Sequence, residues 1–435
     1  MEWLKSIAQE WVSVLLLPIV IALLAAAVLY IGRLGLGWLR SRYRTHLASR
    51  RTVRKVNATV TSAYARHGLR DRLFVPATLP EAGPLPILTD ESGAVIAPIN
   101  FESDGMLAFP VEEREETATV RQAFPASRRL TFFNWAAGIT FADNPVLYVD
   151  AIERDPGSGF RISARLAGYR AAKTLTRAVR RRLELDDGPV AWRDISSFER
   201  VREAIGTTLR PVTIGSDVVC VFRDGDEFVL PVHRRSDRTI DAPGAHTAVP
   251  AYTYETNRIG RFTSRFGIIA HNFLREFLEE FWDQEVVANQ RSNPDWVFET
   301  EQGRRLLREV EEGRVRLHCV GVGFDLTSSC LSIALAAVFD SEEFLRYVTS
   351  APGSWEAASA SSSGPAIEFY RLYGGESSER TALDELLLRG EMKPTTAFAV
   401  DGARRLLDPR LGGFDRSRGK VRGRFRSALR ALLRR

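Results

Sequence analysis

Residues 271–286 read HNFLREFLEEFWDQEV, and this stretch is the clearest amphipathic helix in the chain. Leu274, Phe277, Leu278 and Phe281 recur at i, i+3, i+4 and i+7, which places them on one apolar face of a helix. Such a face must be buried against another layer of structure. The stretch therefore predicts a helix that packs on the core of the main domain.

The polar side of the same helix carries a group of acids. Glu276, Glu279 and Glu280 stand at i, i+3 and i+4, so their carboxylates share one face and repel each other. A hard divalent cation such as Mg²⁺ takes oxygen ligands and would relieve this repulsion. Arg275 lies four residues before Glu279 and can restrain it by ion pairing. The alternative is an ordinary helix whose acidic face is solvated.

Strand-like and helical segments surround this helix in a definite order. Residues 217–235 contain two β-rich runs around Asp224-Gly225-Asp226, a typical hairpin turn. Further strands and helices are predicted on both sides, and residues 56–130 read as short strands and connectors. The predicted strands are 144–155, 314–326 and 330–340; the predicted helices are 304–313, which ends at Gly313, 341–348 and 395–407, with one more inside 161–184.

The string Arg275-Glu276-Phe277-Leu278-Glu279-Glu280 resembles the core of the Nudix box, REUxEE, where U is an apolar residue. The order of hairpin, loop, box helix, strands and closing helix over residues 215–410 is also similar to a Nudix domain. The resemblance implies an α+β fold, a Nudix-like mixed sheet with flanking helices. It implies Mg²⁺ as cofactor and hydrolysis of a nucleoside diphosphate linked to another group. It assigns the metal-binding and catalytic roles to Glu276, Glu279 and Glu280, and the substrate contacts to Arg223, His233, Arg234 and Arg275.

The box departs from the family pattern at four positions. Arg261 and Gly267 stand where the pattern has glycine and glutamate, and Trp282 and Asp283 stand where it has glycine and an apolar residue. A degenerate box suggests weakened metal binding. The alternative function is therefore a non-catalytic nucleotide sensor or a membrane-tethered interaction module.

Three further polar residues are weaker candidates. His271 could shuttle a proton near a phosphate, or it could be a polar residue at the helix start. His246 lies where a substrate loop would be, and a surface histidine is the simpler interpretation. Asp325 could supply one more carboxylate, or it could start a turn.

The N-terminal stretch 11–32, WVSVLLLPIVIALLAAAVLYIG, contains no charged residue and is long enough to span a bilayer as a helix. Residues 33–55 carry eight basic residues and no acid, so the remainder of the chain is expected on the cytoplasmic side. A cleaved signal peptide is the rival interpretation. The apolar run is too long for it, and the positive cluster follows the run instead of preceding it.

The charge distribution divides the rest of the chain. The formal net charge is +6, yet residues 56–415 carry −10, because residues 33–55 hold +8, the tail 416–435 holds +9 and residues 1–32 hold −1. The basic pI is thus no argument for nucleic-acid binding by the folded part. The tail, with Phe425, Leu429 and Leu432 between arginines, is expected to dock on anionic lipid. A solvated tail is the alternative, and contact with RNA or DNA is a lesser one.

These observations predict a single-pass protein of the cell membrane whose body and C-terminus are cytoplasmic. Its segments are an N-terminal region 1–32 with the membrane helix, a basic juxtamembrane segment 33–56, and a linker with accessory strands 57–128. A Nudix-like domain 129–414 and the basic tail 415–435 follow.

Overall fold

A computed structural model describes the greater part of the body of the chain. The described residues are 53–90, 97–103, 105–108, 145–155, 159–168, 192–205, 212–235, 242, 244–255, 264–282, 294–351, 367–373 and 380–408. The predicted membrane helix 11–32, most of the juxtamembrane segment and the tail lie outside them.

The described residues form an α+β fold, as the sequence predicts, with thirteen strands in one connected mixed sheet. The strands are β1 Leu73–Phe74, β2 Leu85–Thr89, β3 Ala97–Ile99, β4 Leu107–Ala108, β5 Pro145–Asp155, β6 Gly159–Gly168, β7 Thr213–Asp224, β8 Glu227–Arg234, β9 His246–Ala248, β10 Ala251–Thr253, β11 Val315–Asp325, β12 Cys330–Phe339 and β13 Ile367–Arg371. The α-helices are α1 Val53–Arg66, α2 Phe198–Ala204, α3 Ile268–Trp282, α4 Glu301–Glu311, α5 Glu342–Thr349, α6 Ala382–Leu388 and α7 Pro394–Leu407.

Strand β7 is a central strand of the sheet and pairs with other strands on both sides. On one side it runs parallel to β12, with Val218 opposite Leu335 and Phe222 opposite Phe339. On the other side it pairs antiparallel with β10 and, at its end, with β8. Beyond β12 the sheet continues through β11 to β2 and β1. This arrangement brings β8, β9 and β10 to the same side of β7, which is where the functional candidates lie.

Helices cover both faces of the sheet. Alternate residues of β7 point to opposite faces, so Cys220 and Phe222 belong to one core and Val219 and Val221 to the other. The first core receives helices α1 to α5, including the apolar face of α3. The second core receives α6 and α7. Gly321 allows α7 to pack closely, since a Cβ there would lie 2.5 Å from the Phe398 ring.

Most of the local predictions are confirmed. β7 and β8 form the predicted hairpin, and Gly225 at the first loop position has φ +60°, as a type II′ turn requires. Helix α4 ends as predicted: Gly313 has φ +72°, and the Arg314 N–H donates to the Glu309 carbonyl in a Schellman motif. The strands predicted at 144–155, 314–326 and 330–340 are β5, β11 and β12, and the helices predicted at 341–348 and 395–407 are α5 and α7.

Two segments differ from the sequence-based expectation. Residues 53–66 form helix α1, although only short strands and connectors are expected after residue 56. Val56, Val60 and Tyr64 bury one face of this helix at helical spacing. In the segment 161–184, the part up to Gly168 belongs to strand β6, which pairs with β5 over ten residues. Any helix in that segment falls outside the described residues.

No helix among the described residues is long and apolar enough to cross a membrane. The predicted span 11–32 is not among those residues, so the anchor stays a prediction.

His318 on β11 makes the stability of this fold depend on pH. Burial, followed by the neighbouring charge of Arg316, lowers the pKa of His318 to about 4, and its Nε2 has no hydrogen-bond partner among the described residues. Between pH 6.5 and 4 the unfolded chain therefore binds a proton that the folded chain does not, and stability falls as the pH falls. From pH 7.5 to 5 we expect a loss of about 2 kcal/mol from this residue.

The measurement is urea unfolding of the full chain in detergent at both pH values, with H318Q as the control. H318Q cannot titrate, so it should lose about 2 kcal/mol less than wild type over this interval. Equal losses in the two proteins would show that His318 is not the responsible group.

Candidate functional site

Helix α3 is buried on almost every side. Eleven of its fifteen residues are buried, including His271, Asn272 and Arg275 as well as the apolar residues. The apolar face packs on the sheet, where Phe277 stacks against Phe339 and Phe344. The polar side faces the segment around β10, so its charged groups must be satisfied within the protein.

Arg275 is the centre of the polar side. Its guanidinium donates hydrogen bonds to Glu276 and, at 3.0 Å, to Glu279. Only 8% of the Arg275 side chain is exposed, against 15% for Glu276 and 22% for Glu279. The sequence predicts the pair with Glu279. It does not predict that Arg275 is buried, or that Glu276 accepts a hydrogen bond from the same guanidinium.

Glu255, which follows β10, approaches the same guanidinium from outside the helix. A carboxylate oxygen of Glu255 lies 4.0 Å from Arg275, and the Glu255 backbone N–H donates to the Asn272 side chain at 3.1 Å. Glu255 thus brings a carboxylate to Arg275 from outside helix α3. Sequence reasoning missed Glu255, because no local pattern links residue 255 to residue 275.

Glu280 faces a different set of partners. Its Oε1 accepts a hydrogen bond of 3.0 Å from the Ala251 N–H, and its Oε2 lies 3.6 Å from Nδ1 of His233 on β8. The other ring nitrogen of His233 is 3.1 Å from the Thr247 hydroxyl on β9. Three neighbouring strands thus contribute to the surroundings of one carboxylate.

The charges in this cluster do not balance. Glu255, Glu276 and Glu279 lie around the Arg275 guanidinium, and Glu280 is close enough to Glu276 to affect its pKa. Burial raises the pKa of Glu276 well above its usual range; Arg275 opposes that shift, and the neighbouring carboxylates add to it. Burial also lowers the pKa of His233 to about 3, helped by the positive charge of Arg235. His233 is therefore neutral near pH 7 and contributes no positive charge.

The structure separates the predicted substrate-binding residues. His233 and Arg275 lie at the cluster, but both are buried. Arg223 pairs with Asp340 at 2.8 Å, and its register partner Phe228 is five residues along β8 from His233, roughly 16 Å away. Arg234 is exposed and, as the neighbour of His233 in a strand, points to the opposite face. Substrate contacts from these residues stay a prediction.

The structure places the three weaker candidates, His271, His246 and Asp325, among defined partners. His271 is buried, with Nε2 3.7 Å from Asp295. His246 is half-buried, and its backbone N–H donates to the Glu391 carbonyl. Asp325 starts a turn: its carboxylate accepts hydrogen bonds from the Thr327 N–H and hydroxyl and from the Ser328 hydroxyl. The turn accounts for Asp325 fully.

The donor set of the cluster fits a divalent cation in its chemistry. Carboxylate oxygens are what Mg²⁺ prefers, and the excess of negative charge favours a cation. Within the part of the chain that the structure describes, however, no three His, Cys, Asp or Glu side chains are already arranged to hold a metal ion. Holding one would require carboxylates to turn away from Arg275 or from Ala251.

Comparison with known proteins adds no family to this description. No protein-family model matches the chain, and the search of curated proteins gives no significant match.

Removing the guanidinium should strongly destabilise the fold. R275M keeps much of the side-chain volume but leaves three carboxylates near each other without their cation. We expect a loss of about 3–5 kcal/mol at pH 7, the usual cost of removing one partner from a buried ion pair. The measurement is urea unfolding followed by tryptophan fluorescence.

Two further variants identify the cause. R275M/E276Q should regain part of the loss, because it removes one of the repelling charges. R308M changes an exposed arginine of α4 and should stay within about 0.5 kcal/mol of wild type. An R275M protein as stable as R308M would contradict the central place of Arg275.

Proposed function

We propose that the body is a divergent Nudix-like domain that holds Mg²⁺ with Glu276, Glu279 and Glu280 and hydrolyses a nucleoside diphosphate linked to another group. The observation that carries the proposal is the charge imbalance of the α3 cluster. Three carboxylates pair with one buried guanidinium. Burial and then the neighbouring carboxylates, Glu280 among them, raise the pKa of Glu276 against the effect of Arg275. A divalent cation would neutralise the excess of negative charge.

The three glutamates differ in what their neighbours do to them. Glu276 and Glu279 both accept hydrogen bonds from Arg275, so each has an oxygen engaged by a cation. Glu280 is held by a backbone N–H and lies beside a neutral histidine. We assign Glu280 the role of orienting and deprotonating the attacking water. Glu276 and Glu279 would serve as metal ligands once oxygens of theirs turn away from Arg275.

When bound, the cation would neutralise phosphate charge and lower the pKa of a bound water. The protein's own part is to fix the carboxylates on a rigid helix and to keep them partly shielded from solvent. Shielding strengthens their electrostatic interaction with a cation or a phosphate.

A non-catalytic nucleotide sensor or membrane-tethered interaction module is the second candidate. One observation favours it: Glu276, Glu279 and Glu280 are all engaged by protein groups, namely Arg275 and the Ala251 N–H. If these contacts persist when a nucleotide binds, the cluster is a structural network beneath a binding surface. The four departures from the box point the same way.

The test uses the double variant E279Q/E280Q in the full chain. We measure Mg²⁺-dependent formation of AMP and ribose 5-phosphate from ADP-ribose, the corresponding nucleoside monophosphate from related compounds, and Mg²⁺ and nucleotide binding by calorimetry. The variant should lose about 100-fold or more in rate, the usual scale of general-base catalysis. E301Q/E311Q, which removes two exposed charges from α4, should keep the wild-type rate.

The outcomes separate the two candidates. Wild type that hydrolyses a compound while E279Q/E280Q does not supports the enzyme. Wild type that binds nucleotide without hydrolysis supports the sensor. If E279Q/E280Q binds Mg²⁺ as well as wild type does, the metal assignment is wrong.

We also propose that residues 11–32 anchor the chain in the cell membrane, with the body in the cytoplasm and the tail 416–435 on anionic lipid. The support is the uncharged run followed by eight basic residues. Nine basic residues in the tail would add attraction of about 1 kcal/mol each near a negatively charged surface.

Orientation can be measured directly. A reporter fused after Arg435 that works only in the cytoplasm should be active, and one that works only outside should be silent. Moving the eight basic residues 33–55 to the N-terminal side of the run should invert part of the population. An externally active fusion of the unaltered chain would overturn the cytoplasmic assignment.

A further inference from the structure

Thr247, His233 and Glu280 form a continuous row of polar groups beneath the α3 cluster. Thr247 Oγ1 is 3.1 Å from His233 Nε2, and His233 Nδ1 is 3.6 Å from Glu280 Oε2. Thr247 has no exposed surface, and His233 is only 3% exposed. His233 is therefore shielded from solvent, and within the α3 cluster its nearest carboxylate is that of Glu280.

The partners select one form of the histidine ring. A neutral imidazole has one N–H and one lone pair. An ionised carboxylate only accepts hydrogen bonds, whereas a hydroxyl can donate. The form that satisfies both neighbours places the hydrogen on Nδ1, facing Glu280, and lets Nε2 accept from the Thr247 hydroxyl. The opposite tautomer would turn a lone pair toward the carboxylate.

We infer that His233 is a positioning residue that orients Glu280 through its Nδ1–H, with Thr247 fixing the tautomer. This inference rests on the proposed function, in which Glu280 acts on the attacking water. The Ala251 N–H holds one oxygen of Glu280, and the Nδ1–H would hold the other oxygen, Oε2, once the two groups approach each other.

The 3.6 Å separation is longer than a hydrogen bond, so the contact requires an approach of about 0.6 Å. Hydrogen bonds in catalytic sites are often long without ligand and shorten when the ligand binds. His233 and the Ala251 N–H lie on separate strands that pair with β9 or β7, so their spacing is set by the sheet. Glu280 is therefore the group that moves.

The experiment compares two substitutions that keep different halves of the ring. In H233N the side-chain amide nitrogen can occupy the place of Nδ1, so the donor to Glu280 is retained. In H233Q it can occupy the place of Nε2, so that donor is lost. T247V removes the hydroxyl at nearly constant volume. All are made in the full chain.

We expect H233N to stay within about threefold of wild type in Mn²⁺ affinity and in kcat for ADP-ribose. H233Q should lose about 10–100-fold, the usual effect of losing a group that orients a ligating side chain. T247V should fall between them. Equal losses in H233N and H233Q, or no loss in either while E280Q loses Mn²⁺ binding, would overturn the inference.

A second measurement does not depend on activity. Long-range ¹H–¹⁵N NMR spectra of ¹⁵N-histidine-labelled wild type report which ring nitrogen carries the hydrogen. The chain has six histidines, and loss of one signal in H233N assigns His233. We expect the neutral Nδ1–H form in wild type and a loss of that preference in T247V.

The Nε2–H form in wild type would overturn the inference whatever the variants do. If E280Q keeps full Mn²⁺ binding and full hydrolysis, the proposed function fails, and the inference fails with it. If E280Q loses both while His233 is in the Nε2–H form, the proposed function stands and only the positioning role is lost.

Discussion

The burial of one guanidinium, that of Arg275, is the constraint on which this site depends. Helix α3 packs its apolar face on the sheet, and the segment around β10 covers its polar side, so Arg275 has little contact with water. A buried cation must be paired and hydrogen-bonded. Glu276, Glu279 and Glu255 meet that requirement together, which ties the helix to the chain beyond β10. The arrangement leaves more negative charge than one arginine can neutralise.

That excess of charge links the structure to the proposed chemistry. A protein that only needed to neutralise Arg275 would need one carboxylate or two. Burial first, and then the neighbouring carboxylates of Glu279, Glu255 and Glu280, raise the pKa of Glu276, and this concentration of carboxylates favours a bound cation. The sensor and the enzyme both use this charge. They differ in whether the carboxylates leave their protein partners when a nucleotide binds. The row from Thr247 through His233 to Glu280 would orient Glu280 during that change.

Local patterns made much of the fold predictable. The apolar period of α3, the Asp-Gly-Asp turn and the glycine end of α4 each act within a few residues, and each is confirmed. Helix α1 carried a readable signal as well, because Val56, Val60 and Tyr64 follow a helical period. The β-branched and polar residues between them made that signal weak. The parallel pairing of β12 with β7 joins segments over a hundred residues apart and has no local signature.

The site was predictable only in its helical part. Sequence spacing placed Arg275 and the three glutamates together, but a solvated acidic face and a buried one have the same spacing. Glu255, Ala251, Thr247 and the inward direction of His233 come from the way β8, β9 and β10 assemble beside α3. These contacts depend on strand register, which a single sequence does not reveal.

The most direct test of the central claim is anomalous diffraction from crystals soaked in Mn²⁺. We predict a manganese peak within coordination distance of carboxylate oxygens from Glu276, Glu279 or Glu280, with at least one of them turned away from its protein partner. The account would be contradicted by a well-ordered cluster with no manganese peak near α3, in which Arg275 keeps its hydrogen bonds to both Glu276 and Glu279.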